Sequence, residues 1–368
     1  MRRLNLIDRT AFIATIALMF LGVVFIHSAV QAAQAKNLWL KQGVWCGGGL
    51  VIYLIISQMD YKKMVSHATI IYLLAIVSLV AVLLFGSKIN GARSWFRLPF
   101  MSLQPSEFSK LAMVLVLAKY FSRFQERQSS LIAFIVSCIL IIIPFSLIIL
   151  QPDLGTALVY LPFFLIPNFL LGNKESIWLT LIGSGLAMLI VAGVVFKPNW
   201  VVFLKDYQKE RIVAFIYPDR DTSNSGYQVH QSKISIGQGG LFGKGLGKGQ
   251  QTKLGFLPAQ HNDFILAVAA EELGFVGIGL VFTLFIIVFL RGFITAQEAS
   301  DATGSVLVIL VIGTLFTQTF FNSAMLIGLV PTTGIPCPLV SYGGSSMLTT
   351  MGLLGLIQSV RTHRFVNH

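Results

Sequence analysis

The fold is decided by long apolar stretches such as residues 68–86, which read ATIIYLLAIVSLVAVLLFG without one charged side chain. A bilayer span needs roughly 20 mostly apolar residues. Backbone polar groups find no water inside lipid, so such a stretch crosses as an α-helix that satisfies its own hydrogen bonds. The pattern recurs throughout the 368 residues, of which 55% are apolar and 11% charged. Soluble proteins carry about 25% charged residues, so a soluble enzyme, a disordered chain and a repeat solenoid are excluded.

The apolar runs predict an all-α polytopic membrane protein with about ten transmembrane helices. We expect one domain over residues 1–368, with a long extracytoplasmic loop, 197–262, between the seventh and eighth helices. The weakest predictions are 38–57 and 107–122, because polar residues lie near their starts. The predicted spans are 10–30, 38–57, 68–86, 107–122, 131–150, 154–172, 176–196, 264–290, 303–329 and 342–360.

Charge placement predicts the orientation. Lys and Arg are more frequent in the short loops on the N-terminal side than in those opposite, which predicts that both termini are cytoplasmic. A secretory signal peptide is an alternative for the N-terminus, because Arg2 and Arg3 precede an apolar core and an Ala-Gln-Ala sequence at 33–35. The apolar stretch 11–30 is long enough to span, which favours a retained first helix.

Net charge and cysteine content exclude two further classes of site. The net charge of +12 arises from residues spread through apolar runs, without a basic stripe. We therefore expect membrane lipid rather than nucleic acid as a partner. The three cysteines, Cys46, Cys138 and Cys337, are far apart. This spacing suggests neither a disulfide framework nor a metal site.

Carboxylates near the outer ends of the spans mark candidate sites, because ionisable groups are costly at membrane depth. Asp263 opens an apolar run directly after His261 and Asn262. There it would be partly desolvated yet reachable, which suits a general base; it could instead cap its helix. Asp153, after Pro152, could cap the next helix.

Two further acidic positions have structural alternatives. Glu107 and Lys110 are three residues apart, so on one helix they can form an ion pair with a purely structural role. Glu271 and Glu272 lie about 12 Å along the helix axis from Asp263 at 1.5 Å per residue. For these two we favour a structural network with cations on neighbouring helices over a proton pathway.

The long loop has two notable parts. Residues 205–216 mix charges with apolar side chains and could lie as an amphipathic helix in the headgroup layer. Residues 237–249 read GQGGLFGKGLGKG, and successive glycine N–H groups with interleaved lysines can bind a phosphate or pyrophosphate. A nucleotide P-loop is excluded because Gly-x-x-x-x-Gly-Lys-Ser/Thr is absent. A flexible loop is the alternative.

Several motifs, in order along essentially the whole chain, together resemble the SEDS family, whose members concern cell shape, elongation, division and sporulation. The short termini look more like the elongation branch than the division branch. The motifs are GARSW (91–95), QPSEFSK (104–110), QPDLG (151–155), GYQ (226–228), DF (263–264) with EELG (271–274), and PCPLVSYGGSS (336–346).

The resemblance implies a peptidoglycan glycosyltransferase that polymerises lipid II on the outer face of the bacterial plasma membrane. It implies a class B penicillin-binding protein, a crosslinking transpeptidase, as the partner. The essential carboxylate of the family is the aspartate of its His-x-Asp-Phe segment, which matches HNDF at 261–264. The resemblance therefore assigns the catalytic role to Asp263.

The chemistry that this implies is an inverting displacement, because lipid II is α-linked and the glycan product is β-1,4-linked. Asp263 would deprotonate the acceptor hydroxyl, while cations and glycine N–H groups stabilise the leaving pyrophosphate. A divalent cation on the pyrophosphate is compatible with this scheme, although the sequence shows no dedicated ligand cluster. A lipid II flippase or transporter and a scaffold that recruits the transpeptidase are the alternatives. The predicted substrate-binding residues are Arg93, Glu107, Lys110, Asp153, Arg211, Lys233, Lys244, Ser341, Gly343 and Ser345.

Overall fold

The computed structural model describes a helical bundle with one small sheet. It covers residues 6–30, 37–89, 92–97, 102–124, 130–170, 177–178, 180–181, 183, 211, 215, 225–257 and 260–364. The helices are α1 (Arg9–Val30), α2 (Leu38–Gln58), α3 (Tyr61–Ser66), α4 (Ala68–Phe85), α5 (Pro105–Phe124), α6 (Ser130–Leu150), α7 (Leu154–Leu158), α8 (Leu161–Leu170), α9 (Ser225–Gly239), α10 (Gln250–Lys253), α11 (Ile265–Gln297), α12 (Ala302–Leu326) and α13 (Gly344–His363).

These helices confirm the polytopic helical architecture. Each predicted span except 176–196 coincides with helix, and most of that segment lies outside the described residues. Of the described helices, five are long and apolar enough to cross a bilayer: α1, α2, α4, α11 and α12. The 33–35 sequence and nearly all of the 205–216 segment also lie outside the described residues.

A small antiparallel sheet lies between α4 and α5, where no strands were predicted. It has the order β1 (Ser87–Ile89), β2 (Ala92–Arg97) and β3 (Ser102–Leu103). Lys88 lies opposite Arg93, and Phe96 lies opposite Leu103. This sheet leads the chain into α5, whose first turn carries Glu107.

Helix α1 is an integral part of the bundle core. Its side chains Leu18, Phe25 and Ile26 are fully buried. Just before the helix, the Asp8 carboxylate pairs with Arg291 of α11 at 2.6 Å and with Arg361 of α13 at 3.3 Å. The start of the first helix is therefore fixed to helices from the far end of the sequence.

Helix α11 is kinked at Gly274, whose φ of 67° and ψ of −165° are non-helical. A kink of this kind frees backbone groups that an uninterrupted helix would pair internally. The turn after α9 occupies the break, and its backbone supplies the partners. The N–H groups of Lys244 and Gly245 donate to the backbone oxygens of residues 271 and 272, at 3.0 and 2.9 Å. In the opposite direction, the N–H groups of residues 275 and 276 donate to the backbone oxygens of residues 240 and 241, at 2.9 and 3.1 Å.

Candidate functional site

Asp263 lies in the turn that precedes α11, and its side chain is half-buried. Asn322 of α12 fixes this turn through hydrogen bonds to the backbone. The Asn322 amide donates to the backbone oxygen of Asp263 at 2.8 Å and to that of Ile335 at 2.7 Å. Because Asn322 is completely buried, it fixes the Asp263 turn against the 331–336 segment.

The segment 341–343 holds the other side of the turn. The Tyr342 N–H donates to the backbone oxygen of His261 at 3.0 Å, and the two rings meet edge to face at 5.9 Å. Gln42 of α2 fixes this segment in turn, since it donates to the Ser341 oxygen and accepts from the Gly343 N–H, both at 3.2 Å. Residues 260–264 are thereby held between the segments 331–336 and 341–343.

The surroundings of Asp263 suit a base that works near neutral pH. Burial raises the pKa of Asp263 to about 6; the positive charge of Arg211 opposes the rise, and the negative charge of Asp153 adds to it. A general base is most effective when its pKa lies near the working pH. Burial also lowers the pKa of His261, which favours a neutral imidazole beside the carboxylate.

Arg211 is the predicted cation that the structure places beside Asp263. Its guanidinium donates to the backbone oxygen of Thr332 at 3.1 Å. Two residues further on, a β-carbon at Gly334 would lie 3.5 Å from the Asp263 Oδ2 atom. The 332–334 segment therefore joins the cation to the carboxylate.

Asp153 caps α7, which was the structural alternative for this residue. Its carboxylate accepts from the Thr156 N–H at 3.0 Å, from the Thr156 hydroxyl at 2.8 Å and from the Gln104 amide at 2.8 Å. The cap holds the negative charge of Asp153 in place, and that charge acts on Asp263. In the structure Asp153 is thus an electrostatic neighbour of the candidate base.

Glu107 and Lys110 form a buried ion pair in the first turns of α5. The Lys110 Nζ atom lies 2.7 Å from Glu107, and both side chains are almost fully buried. This contact is the structural alternative considered for the pair. Gln104, which bonds Asp153, precedes the pair on the same chain segment and connects it to the site.

The remaining polar predictions fall on contacts within the protein. Ser345 donates to the Ser102 oxygen at 3.0 Å and accepts from the Gln104 N–H at 3.1 Å, which joins α13 to the sheet. Ser341 accepts from the Cys337 N–H at 2.8 Å and closes a turn. These contacts give both serines an architectural role.

Two predicted cations lie on exposed surfaces. Arg93 projects from β2 and donates to the Leu83 oxygen at 3.5 Å, near the end of α4. Lys233 is exposed on α9 and packs on Gly328, where a β-carbon would lie 2.7 Å from its Nζ atom. Neither contact connects these cations to Asp263.

The glycine-rich segment has partners within the protein. We expected Lys244 and the 237–249 backbone to face a pyrophosphate, but Lys244 pairs with buried Glu271 at 3.5 Å. Glu272 accepts a hydrogen bond from Ser28, and the N–H groups of Gly247 and Gly249 lie near its carboxylate. The backbone of this segment therefore faces an anion, and that anion is a carboxylate of the protein itself. Glu271 and Glu272 thus form the structural network that was favoured, with a cation from a loop rather than from a helix.

Three residues that support the site were not predicted from the sequence: Gln42, Gln104 and Asn322. A buried amide in an otherwise apolar span, such as Asn322 in α12, is the signal that could have found one of them. In the described part of the chain, no group of three or more His, Cys, Asp or Glu side chains is arranged to hold a metal ion.

Comparisons with known proteins place the chain in a family. The FtsW/RodA/SpoVE family model, described as "Cell cycle protein", matches residues 8–365. The chain is 36% identical over 359 residues to the peptidoglycan glycosyltransferase MrdB of Escherichia coli K12, covering 97% of this chain and 94% of that one. It is 30% identical to the peptidoglycan glycosyltransferase RodA of Treponema pallidum, covering 97% and 98%.

Solved structures of similar proteins match the chain over nearly its whole length. A structure described as "Structural coordination of polymerization and crosslinking by a peptidoglycan synthase complex" matches with a TM-score of 0.80 and 28% identity, over 98% of each chain. The rod shape determining protein RodA of Thermus thermophilus matches with a TM-score of 0.68 and 27% identity, also over 98% of each chain. The chain therefore belongs to the SEDS family of FtsW, RodA and SpoVE, multi-pass bacterial membrane proteins.

Proposed function

We propose that this chain is a peptidoglycan glycosyltransferase that polymerises lipid II into β-1,4-linked glycan during cell elongation. The names of its relatives MrdB and RodA support the activity and the elongation role. The observation that carries the proposal is the half-buried Asp263, whose pKa is raised to about 6 and which Asn322 and Arg211 flank. The excess of basic residues in the N-terminal-side loops supports cytoplasmic termini and hence an extracytoplasmic site.

In the proposed reaction Asp263 accepts the proton of the 4-hydroxyl of the acceptor sugar. That oxygen attacks the anomeric carbon of the donor from the face opposite the pyrophosphate. The bond between the anomeric carbon and the pyrophosphate oxygen breaks, and its electrons stay with the leaving group. A general base of this kind typically contributes 10²–10⁴-fold to the rate.

Arg211 is the cation that we assign to this step. Fixed positive charge aimed at a group that gains negative charge stabilises the transition state. Its hydrogen bond to the Thr332 oxygen holds the guanidinium on the segment that passes beside Asp263. The same charge favours the ionised form of the base.

A class B penicillin-binding protein is the partner that we propose. The similar synthase complex coordinates polymerisation with crosslinking according to its description. A transpeptidase that acts on the new glycan supplies the second of these activities.

The test is lipid II polymerisation by the purified full chain, alone and with the class B penicillin-binding protein. The parent is compared with Asp263→Asn, which keeps the size of the side chain and removes the base. Asp60→Asn is the matched control, because Asp60 is an aspartate beyond the other end of α2 from Gln42 and so lies away from the site.

We expect glycan ladders from the parent and from Asp60→Asn, and none from Asp263→Asn. Parental rates from folded Asp263→Asn would show that the base is assigned wrongly. If the parent made no ladders even with the partner, the polymerase proposal would fail. Lipid II translocation in liposomes would then test the flippase alternative.

A further inference from the structure

The turn that fills the kink of α11 exposes large apolar side chains outside any helix. Leu241 is 65% exposed, Phe242 80% and Leu246 52%. Contiguous exposed apolar side chains usually mark a surface that contacts protein or membrane. The backbone hydrogen bonds between 240–245 and 271–276 fix this turn on the helix.

This apolar surface continues the lipid-facing side of α11. Phe275 and Val276, whose N–H groups bond the turn, are 73% and 55% exposed. Because α11 is apolar enough to span a bilayer and belongs to a multi-pass protein, its exposed stripe faces lipid. That stripe continues at helical spacing through Leu280, Ile286, Leu290 and Phe293.

Exposed lysines accompany the apolar side chains. Lys248 and Lys253 lie on the same segment and are exposed. A segment that presents apolar side chains together with lysines suits the membrane interface, where the apolar groups enter the acyl boundary. Lysine ammonium groups at that depth reach the phosphates of anionic lipids.

We propose that residues 240–256 form an interfacial anchor in the outer leaflet of the membrane. Leu241, Phe242 and Leu246 insert at the acyl boundary, and Lys248 and Lys253 bind anionic headgroups. The occupant that we assign to this surface is the lipid bilayer, because the surface continues the exposed apolar side of a membrane-spanning helix. Leu254 and Phe256, which are 65% and 43% exposed, enlarge the inserted area.

The anchor has a direct connection to the candidate site. The same turn holds the backbone of 271 and 272, which belongs to the half of α11 that begins directly after the Asp263 turn. The membrane contact thereby fixes the height of Asp263 relative to the lipid headgroups. The insertion itself does not depend on the proposed glycosyltransferase activity, whereas its assignment to the outer leaflet rests on the orientation proposed above.

The test uses environment-sensitive labels on cysteines in the full chain, reconstituted as one chain per nanodisc. Cys46 and Cys138 are replaced by Ala so that the introduced thiol is labelled. The probe position is Phe242→Cys, and the matched control is Gln250→Cys, an exposed polar position of the same segment. Quenching by lipids with a nitroxide on the acyl chain is compared with quenching by a water-soluble agent.

We expect the label at 242 to be quenched several-fold more by the lipid nitroxide than by the aqueous agent, and the label at 250 to show the reverse. Equal aqueous quenching at both positions would overturn the anchor, and so would protection of position 242 from both agents. One chain per nanodisc without a partner excludes cover by a second copy or by another protein.

The lysine contacts have a separate test. We expect the label at 242 to lie deeper in nanodiscs that contain phosphatidylglycerol than in those of phosphatidylcholine alone. Replacing Lys248 and Lys253 by Gln should remove this difference. Identical depths of the unsubstituted segment in both lipids would overturn the assignment of the lysines to anionic headgroups.

Discussion

Acidification should slow the enzyme in the pH range where Asp263 takes up a proton. Burial raises the pKa of Asp263 to about 6, and a general base works only in its ionised form. With that pKa, about nine tenths of the enzyme is active at pH 7 and about one tenth at pH 5, so the rate should fall about tenfold. An aspartate with the ordinary pKa of about 3.9 would lose less than about a tenth of its activity over the same range.

The two charged neighbours of Asp263 should move this midpoint in opposite directions. Arg211→Gln removes the charge that favours ionised Asp263 and should move the midpoint to higher pH. Asp153→Asn removes the charge that disfavours it and should move the midpoint to lower pH. The asparagine keeps an oxygen that can accept from the Thr156 N–H, so the cap of α7 is preserved.

The assay is the initial rate of lipid II polymerisation between about pH 5 and pH 8 at constant ionic strength. Samples held at low pH and returned to pH 7 must recover full activity, which excludes unfolding as the cause. A parental midpoint near the ordinary aspartate pKa would refute the reasoning. Shifts of both variants in the same direction would refute the electrostatic part of it.

Three further predictions concern contacts around the site and the kink. Asn322→Ala should lower the polymerisation rate and the melting temperature, because the Asp263 oxygen loses its donor and the buried Ile335 oxygen loses its donor at a cost of about 1–3 kcal/mol. Gly243→Ala should lower the melting temperature, because the added β-carbon would lie 2.1 Å from the backbone oxygen of residue 272. Gly237→Ala is the control and should leave the melting temperature unchanged, because no atom lies within 4 Å of the added β-carbon. Lys244→Met should destabilise the protein by about 1–3 kcal/mol in thermal unfolding, because buried Glu271 loses its cation but keeps hydrogen bonds from residues 251 and 252.

The spans could be predicted because the apolar lipid core requires a long, mostly apolar stretch that folds as a helix. The sheet was missed although Asn90 and Gly91 form the dipeptide that tight hairpins favour. The apolar pattern does not report three short strands in a polar loop, and only the turn residues carry that signal. The Asn-Gly dipeptide was therefore the local signal that could have predicted the hairpin.

Asp263 could be predicted as a candidate base, but the residues whose hydrogen bonds hold its turn in place could not. Asn322 and Gln42 act on backbone oxygens far away in the sequence, 59 residues away for Asp263 and 299 for Ser341. Those partners depend on how the helices pack, which no local pattern reports. In the glycine-rich segment, the local pattern correctly indicates that the backbone faces an anion. The pattern does not show that the anion is the carboxylate of Glu272.

The contacts of the first helix have a consequence for biosynthesis. The Asp8 N–H bonds Gln358, a partner 350 residues later in the chain. At about 5–20 residues per second, translation reaches that partner roughly 20–70 s after the first helix is made. The first helix therefore stays in the membrane without its contacts to Gln358 and Arg361 until the last helix is inserted. A ribosome that stops before that helix leaves Asp8 with Arg291 of α11 but without Gln358 and Arg361 of α13.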